Sequence, residues 1–350
     1  MPGIRDMRVL ACLSFLACLA LFAPASWAAD GDDTAKAQAQ RQQTQPLNNA
    51  PLWREVRKGE NPYQTSQVRG TETNILVQSA GETWRQIRNG PITIYGGWLI
   101  VAVCAIIAAI YFLMGPIKLH QKPSGRMIER FDSLERYAHW TMGISFCLLG
   151  VSGLIILFGK YVLLPVFGYT LFSWLAILSK NVHNFVAPVF MASLLVFIVI
   201  YVKDNLPEKG DFTWLANGWR MFAGEHMPSG RFNAGEKVWF WLGVVLLCLI
   251  VSASGLILLF PQLVDGARLL MQQANVIHAI AALLVIGFSL GHIYMGTIGV
   301  EGAYQNMRTG LTDETWAKEH HEYWYNEVKG QAKPAGGTPS TAHASAMKEG

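Results

Sequence analysis

Charge is what this chain has least of. Only 15% of its 350 residues are Asp, Glu, Lys or Arg, against 51% hydrophobic residues. A soluble globular domain carries about 25% charged residues. The deficit, concentrated in long apolar runs, makes this a polytopic membrane protein. The chain also lacks a CxxC pair. Its five cysteines, Cys12, Cys18, Cys104, Cys147 and Cys248, lie scattered in apolar segments. That excludes cysteine-held iron–sulfur clusters and covalent c-type haem, and the thiols read as small buried hydrophobes. No basic stripe interleaved with aromatics is present and no base-reading motif, so nucleic acid is excluded as a partner. The net charge of +4 matters less than where the basic residues fall.

Residues 1–28 read as a signal peptide. Arg5 and Arg8 precede the apolar core VLACLSFLACLALFA, and Ser26 and Ala28 supply small residues before a cleavage site. The alternative is an uncleaved anchor, but the run falls short of the ~20 residues a spanning helix needs. Residues 29–95 form a polar segment expected outside the membrane, low in aromatics and disordered to about residue 50. Five apolar segments follow, at about 97–115, 138–158, 183–202, 238–260 and 276–299. Each can cross a hydrocarbon core about 30 Å thick. With no water there to satisfy the backbone, each must be a helix.

Basic residues orient the spans. The loop 116–137 carries Lys118, Lys122, Arg126, Arg130 and Arg136, and the loop 203–237 carries Lys203, Lys209, Arg220, Arg231 and Lys237. The alternating loops hold only Lys160, Lys180 and Arg268. The positive-inside rule puts the rich loops and the C-terminal tail in the cytoplasm and the mature N-terminus outside. Arg85 and Arg88 oppose this weakly and are outnumbered.

Ionisable groups at membrane depth are rare and functional by default. Four histidines qualify: His139, His183, His278 and His292. His278 and His292 are fourteen residues apart in one segment, which returns them to nearly one helix face about 21 Å apart. With the topology above, His183 and His278 lie towards the outer side and His139 and His292 towards the inner side. Pairing by depth gives His183 with His278 and His139 with His292; any other pairing asks side chains to reach across the bilayer. Neutral imidazoles are good iron ligands, and a bis-imidazole iron keeps no open position, so it transfers electrons. The chain is expected to hold two haem b groups. Two histidines per level with no Cys, Asp or Glu do not complete a zinc shell. His120, His226, His320, His321 and His343 lie in loops or tails and read as solvated, with structural or proton-accepting roles open to His320 and His321.

Two shorter patterns stand out. Ser152-Gly153 opens SGLIILF and Ser254-Gly255 opens SGLILLF. Small-residue helix packing explains them, and so does room for an outer porphyrin. The loop FNAGEK (232–237) reads by itself as a turn before the fourth span.

The chain resembles the cytochrome b (gamma) subunits of membrane-bound formate dehydrogenases. The likeness covers roughly residues 125–330 and rests on RFDSLERYAHW (130–140), NVHNFVAPVF, FNAGEKVWFW, NVIHA, LGHIYM and WAKEHHEYWYNEV (316–328). It implies an all-α integral membrane fold: a four-helix transmembrane dihaem bundle over 125–302, one extra N-terminal transmembrane helix over 96–116, and a cytoplasmic tail over 303–350. It implies electron delivery from a periplasmic iron–sulfur beta subunit, itself fed by a molybdenum- or tungsten-containing catalytic alpha subunit. Electrons would pass from His183 and His278 to His139 and His292, and reduce menaquinone or ubiquinone near the cytoplasmic face of a bacterial inner membrane. The quinone site would comprise Asn233, Gly235 and the adjacent His292. An Asn amide suits a quinone carbonyl, and Gly permits backbone approach. Glu236 departs from the neutral amide of some relatives; it suits proton delivery or a helix N-terminus. The alternative reading is the cytochrome b subunit of a nickel–iron hydrogenase or thiosulfate reductase.

Overall fold

The computed structural model describes residues 57–58, 79–223, 225 and 227–334. The signal peptide, most of the polar segment, His226 and His343 lie outside the described residues. Among those described, five helical stretches are long and apolar enough to cross a membrane: Ala80–Leu113, Ser133–Val162, Leu164–Tyr201, Ala234–Leu259 and Arg268–Gly299. They match the five apolar runs in order and extend beyond most of them. The reason is local: a helix satisfies its own backbone and continues past the hydrocarbon limit until a turn residue stops it.

The first stretch shows this. Helix α1 (Ser79–Ile87) begins well before the apolar run and passes through a π-turn, Arg88–Ile92, into α2 (Thr93–Leu113). Pro91 sits inside the turn. Proline has no N–H to donate, and the widened turn accommodates the loss while Thr93 Oγ1 caps the Arg88 carbonyl at 2.6 Å. The third stretch is interrupted at Gly168, where φ is +71°. Only glycine adopts that backbone without strain, so the segment 164–167 is set off from the span that follows.

The chain divides into two compact units, 1–112 with 153–180 and 247–287, and 113–152 with 181–246 and 288–350. In the first unit, α2 packs closely through glycine. A Cβ at Gly96 would come within 2.4 Å of Leu283, and one at Gly97 within 3.5 Å of Phe158. Without a hydrophobic driving force between helices in lipid, such close approach is what holds them. Trp84 donates its indole N–H to Asn275 at 3.1 Å, and the buried Glu82 carboxylate accepts from Arg85 and Gln86.

The second unit contains α3 (Ser133–Val162) up to Ser152, much of α4 (Leu164–Tyr201), α5 (Asp211–Asn217) and α6 (Ala234–Val238), which continues as a π-helix over Trp239–Leu247. The rest of the fourth span is α7 (Cys248–Leu259), and the fifth is α8 (Arg268–Tyr294), ending in a π-turn at Met295–Gly299. The residues after it are folded. Strand β1 (Arg126–Glu129) lies between β2 (Leu311–Asp313) and β3 (Lys333–Pro334), antiparallel to both, with Ile128 opposite Thr312. Helices α9 (Ala303–Thr309), α10 (Glu314–His320) and α11 (Glu322–Val328) complete this cap. Ile128, Ala317 and Trp324 form its core.

A strap of residues 117–125 runs along the cap. Ile117 exchanges backbone hydrogen bonds with Gly299 and Glu301. Three carboxylates take five more of its N–H groups: Glu301 from Leu119, Glu319 from His120 and Gln121, and Asp313 from Ser124 and Gly125. Burial works against the charge on Glu319, but the N–H groups of His120 and Gln121 outweigh it and hold its carboxyl below the usual range.

The cap corrects the solvated reading of His321, which is only 1% exposed. Its Nδ1 lies 2.8 Å from the Gly230 carbonyl, which can only accept, so the ring is neutral or protonated with hydrogen on Nδ1. Burial, and then the Arg130 guanidinium nearby, push its pKa well below the ordinary histidine value. The unfolded tail takes up a proton near pH 6.5 that the docked tail refuses, so the docked state is fully favoured above that pH. Each pH unit below it costs docking about 1.4 kcal/mol until the folded group titrates. Hydrogen exchange across 314–331 is expected to quicken as pH falls below about 6.5, and H321Q is expected to flatten that dependence; equal slopes in the two proteins would contradict it.

Candidate functional site

His139, on α3, and His292, on α8, face each other in the second unit. Their ring centres are 6.2 Å apart, with planes 53° apart. Two imidazoles that share one metal at about 2 Å per bond, with about 1 Å from nitrogen to ring centre, have centres roughly 6 Å apart. The His139 Nδ1 is buried and has no hydrogen-bond partner, an arrangement costly in the absence of a ligand. At Gly143, one turn beyond His139, and at Gly291, beside His292, an added Cβ would meet nothing within 4 Å. There is room at both for a planar group. Among the described residues no cluster of three or more His, Cys, Asp or Glu could hold a metal; the facing imidazoles offer two nitrogen donors. The site fits haem.

The π-helix at Trp239–Leu247 shapes the same place. It brings Trp239 onto His292, stacked at 5.3 Å with planes 19° apart. Phe197 lies 6.3 Å from His139. Trp239 went unnoticed in the sequence because an aromatic in an apolar run carries no mark of what it touches.

His183 and His278 each have a serine beside Nδ1. Ser152 Oγ is 3.0 Å from His183 Nδ1. Ser254 Oγ is 3.3 Å from His278 Nδ1, which also lies 3.0 Å from the Val251 carbonyl. A Cβ at Gly255 would press within 3.1 Å of the His278 ring. So the repeated Ser-Gly pairs accompany His183 and His278. In the second copy, glycine makes room for the imidazole itself.

Asn233 and Gly235 sit at the start of α6. The Asn233 Oδ1 accepts from the Glu236 N–H at 2.9 Å, and Glu236 accepts from the Asn233 N–H at 2.8 Å. This is a capping box, so the turn-forming reading of FNAGEK holds. It leaves the Asn233 Nδ2 amide for another partner. Asn233 lines a cleft with Trp214, Met221, Met227, His120 and Glu319. Gly235 lets Trp214 approach: a Cβ there would stand 3.0 Å from its ring. Gly235 and His292 are not among the residues lining the cleft.

Beside the cap a charge network closes the basic loops on one another. Arg231 pairs with Asp204 and, at 2.7 Å, with Glu135. Burial opposes its charge, but the Glu135 and Asp204 carboxylates raise its pKa above the usual value. Arg130 is 5% exposed, packed over Phe131, Phe232 and Trp316 and 3.5 Å from Glu236. Lys237 is buried between Asp211 and Glu208. Half-buried Arg–carboxylate pairs of this kind hold better than exposed ones.

Residues 130–310, just over half of the chain, match the prokaryotic cytochrome b561 family. The chain belongs to that family, and membership implies haem b. It is also similar to two Escherichia coli K12 proteins. One is the cytochrome b556(Fdn) subunit of nitrate-inducible formate dehydrogenase, 30% identical over 214 residues, which are 59% of this chain and 95% of that subunit. The other is the cytochrome b556(fdo) subunit of formate dehydrogenase, 31% identical over 210 residues, 58% of this chain and 93% of that subunit. The formate dehydrogenase cytochrome b556 subunit of Haemophilus influenzae is 26% identical over 212 residues, 57% of this chain and 83% of that subunit. With five spans, the chain is a multi-pass membrane protein.

The facing pair makes a direct forecast. In purified membranes, H139A and H292A are each expected to lose the same b-type haem from the reduced-minus-oxidised spectrum. If either variant kept the full wild-type spectrum, the pair would not be the ligand set.

Proposed function

We propose that this chain is the dihaem cytochrome b subunit of a membrane-bound formate dehydrogenase, and that it reduces menaquinone or ubiquinone near the cytoplasmic face. The observation that carries the reading is the 6.2 Å separation of the His139 and His292 rings in a five-span cytochrome b561-family chain. The names of its relatives support formate as the upstream donor. The haems supply one thing when bound: passage of single electrons from the outer to the inner side of the membrane.

His139 and His292 hold the inner iron, and the stacked Trp239 keeps the His292 plane from turning. His183 and His278 hold the outer iron, an assignment resting on their depth in the chain and on their matching serine neighbours. A periplasmic iron–sulfur subunit delivers the electrons, and a molybdenum or tungsten subunit oxidises formate. Asn233 donates its Nδ2 N–H to a quinone carbonyl in the cleft, and Gly235 admits Trp214 as a flat wall for the ring. Two electrons and two protons convert each quinone to quinol. His120, exposed to water and 3.4 Å from Glu319, stands where cytoplasmic protons arrive. The domains of this reading are a signal peptide over 1–28, a periplasmic segment over 29–95, an extra transmembrane helix over 96–116, the dihaem bundle over 125–302 and a cytoplasmic tail over 303–350.

Inner protons and outer electrons together make quinone reduction electrogenic, and a charge crossing 100 mV is worth about 2.3 kcal/mol. In proteoliposomes of the whole complex, formate-driven quinone reduction is expected to take protons from the side bearing the C-terminus. Uptake from the opposite side would overturn the reading.

Asn233 tests the cleft separately. N233D keeps the capping oxygen and loses the amide donor, so it is expected to hold wild-type thermal stability while the quinone KM rises about tenfold, the worth of one hydrogen bond. N233A also loses the cap, at about 1 kcal/mol of stability. An unchanged KM in N233D would remove Asn233 from the quinone site.

A further inference from the structure

The serines beside the two outer histidines are more than packing residues. A serine hydroxyl has one hydrogen and two lone pairs. Ser152 lies 2.7 Å from the Leu148 carbonyl and 3.1 Å from the Leu149 carbonyl. Ser254 lies 2.6 Å from the Ile250 carbonyl and 3.1 Å from the Val251 carbonyl. Carbonyls only accept, so each hydroxyl hydrogen is committed to its own helix. What remains at each Oγ is a lone pair. The contact with His183 at 3.0 Å therefore needs hydrogen on His183 Nδ1. The same holds for His278, whose Nδ1 also meets the Val251 carbonyl at 3.0 Å.

We infer that Ser152 and Ser254 are positioning residues: they hold His183 and His278 as Nδ1–H tautomers, present the unprotonated Nε2 to the iron, and raise the basicity of both imidazoles. The inference rests on the reading of these histidines as outer haem ligands. It explains why the Ser-Gly pair recurs, since each copy places its hydroxyl against one ligand. It also explains serine inside apolar helices, where bonding back to the helix carbonyls gains little by itself. A ligand histidine whose other ring nitrogen donates a hydrogen bond is oriented and made a stronger donor to its metal. Stronger donation favours the oxidised iron and lowers its reduction potential.

The two positions differ in a useful way. Ser254 shares the His278 Nδ1–H with the Val251 carbonyl, so its removal leaves that acceptor in place. Potentiometric titration of each haem in the intact complex reads the effect. S152A is expected to shift the outer haem's midpoint potential upward and leave the inner one unmoved, with S254A giving a smaller upward shift. S152T and S152V are close to isosteric and differ by the hydroxyl. S152T is expected to return the potential towards wild type and S152V to match S152A, which also covers an S152A that does not assemble. If the S152V and S152T potentials coincide while H183A removes the outer haem's absorbance, the inference is wrong and the ligand assignment stands. If H183A retains both haems, the ligand assignment itself fails.

Discussion

An imidazole in hydrocarbon has no water to take its N–H or its lone pair, and the arrangement of this protein follows from that constraint. Each unsatisfied polar group there costs several kcal/mol. The four histidines of the spans answer it in two ways. His183 and His278 direct Nδ1 at oxygens of the neighbouring helices, Ser152 in one case and Ser254 with the Val251 carbonyl in the other. His139 and His292 turn to one another, with Trp239 stacked on the second ring. The Nδ1 of His139 is buried without a protein partner. Two imidazoles placed in this way can share one metal.

The same demand shapes the backbone. The spans change pitch where a side chain must be placed or a hydrogen bond is missing. Pro91 lies in one π-turn, and a longer π segment carries Trp239 to His292. Such widened turns are uncommon in helices and concentrate at functional sites. Beyond the apolar spans water is available again, and charge takes over. Arg231 with Glu135 and Asp204, Lys237 with Asp211, and the carboxylates that pin the strap 117–125 tie the loops to the C-terminal cap. The cleft bearing Asn233 is therefore built by the strap, the cap and the loop before the fourth span. His120 and Glu319 both line it and both lie outside residues 130–310, the family match.

The spans, their order and the histidines worth attention were legible because each signal is local: an apolar run long enough to cross, and a costly group within it. The capping box at Asn233 was legible for the same reason, since its partners are three residues apart. The cap was not. Residues 126–129 pair with 311–313 and 333–334, and nothing in strands of two to four residues marks partners so distant. His321 passed for a solvated tail residue because its burial depends on Gly230, Ser229 and Trp316. The Ser-Gly repeat was visible as a pattern, but its purpose was not, because Ser152 meets a histidine 31 residues away and Ser254 one 24 residues away.

The sequence alone therefore determined which segments cross the membrane and which groups are too costly to be there without a role, since both depend on transfer from water and need no partner. Tertiary structure decided that His139 faces His292 under Trp239, and that Ser152 and Ser254 stand against Nδ1 of His183 and His278. It also decided that the tail closes over the loop carrying Asn233. Those outcomes depend on distances of about 3 to 6 Å between residues far apart in the chain, and helical periodicity carries no information about them.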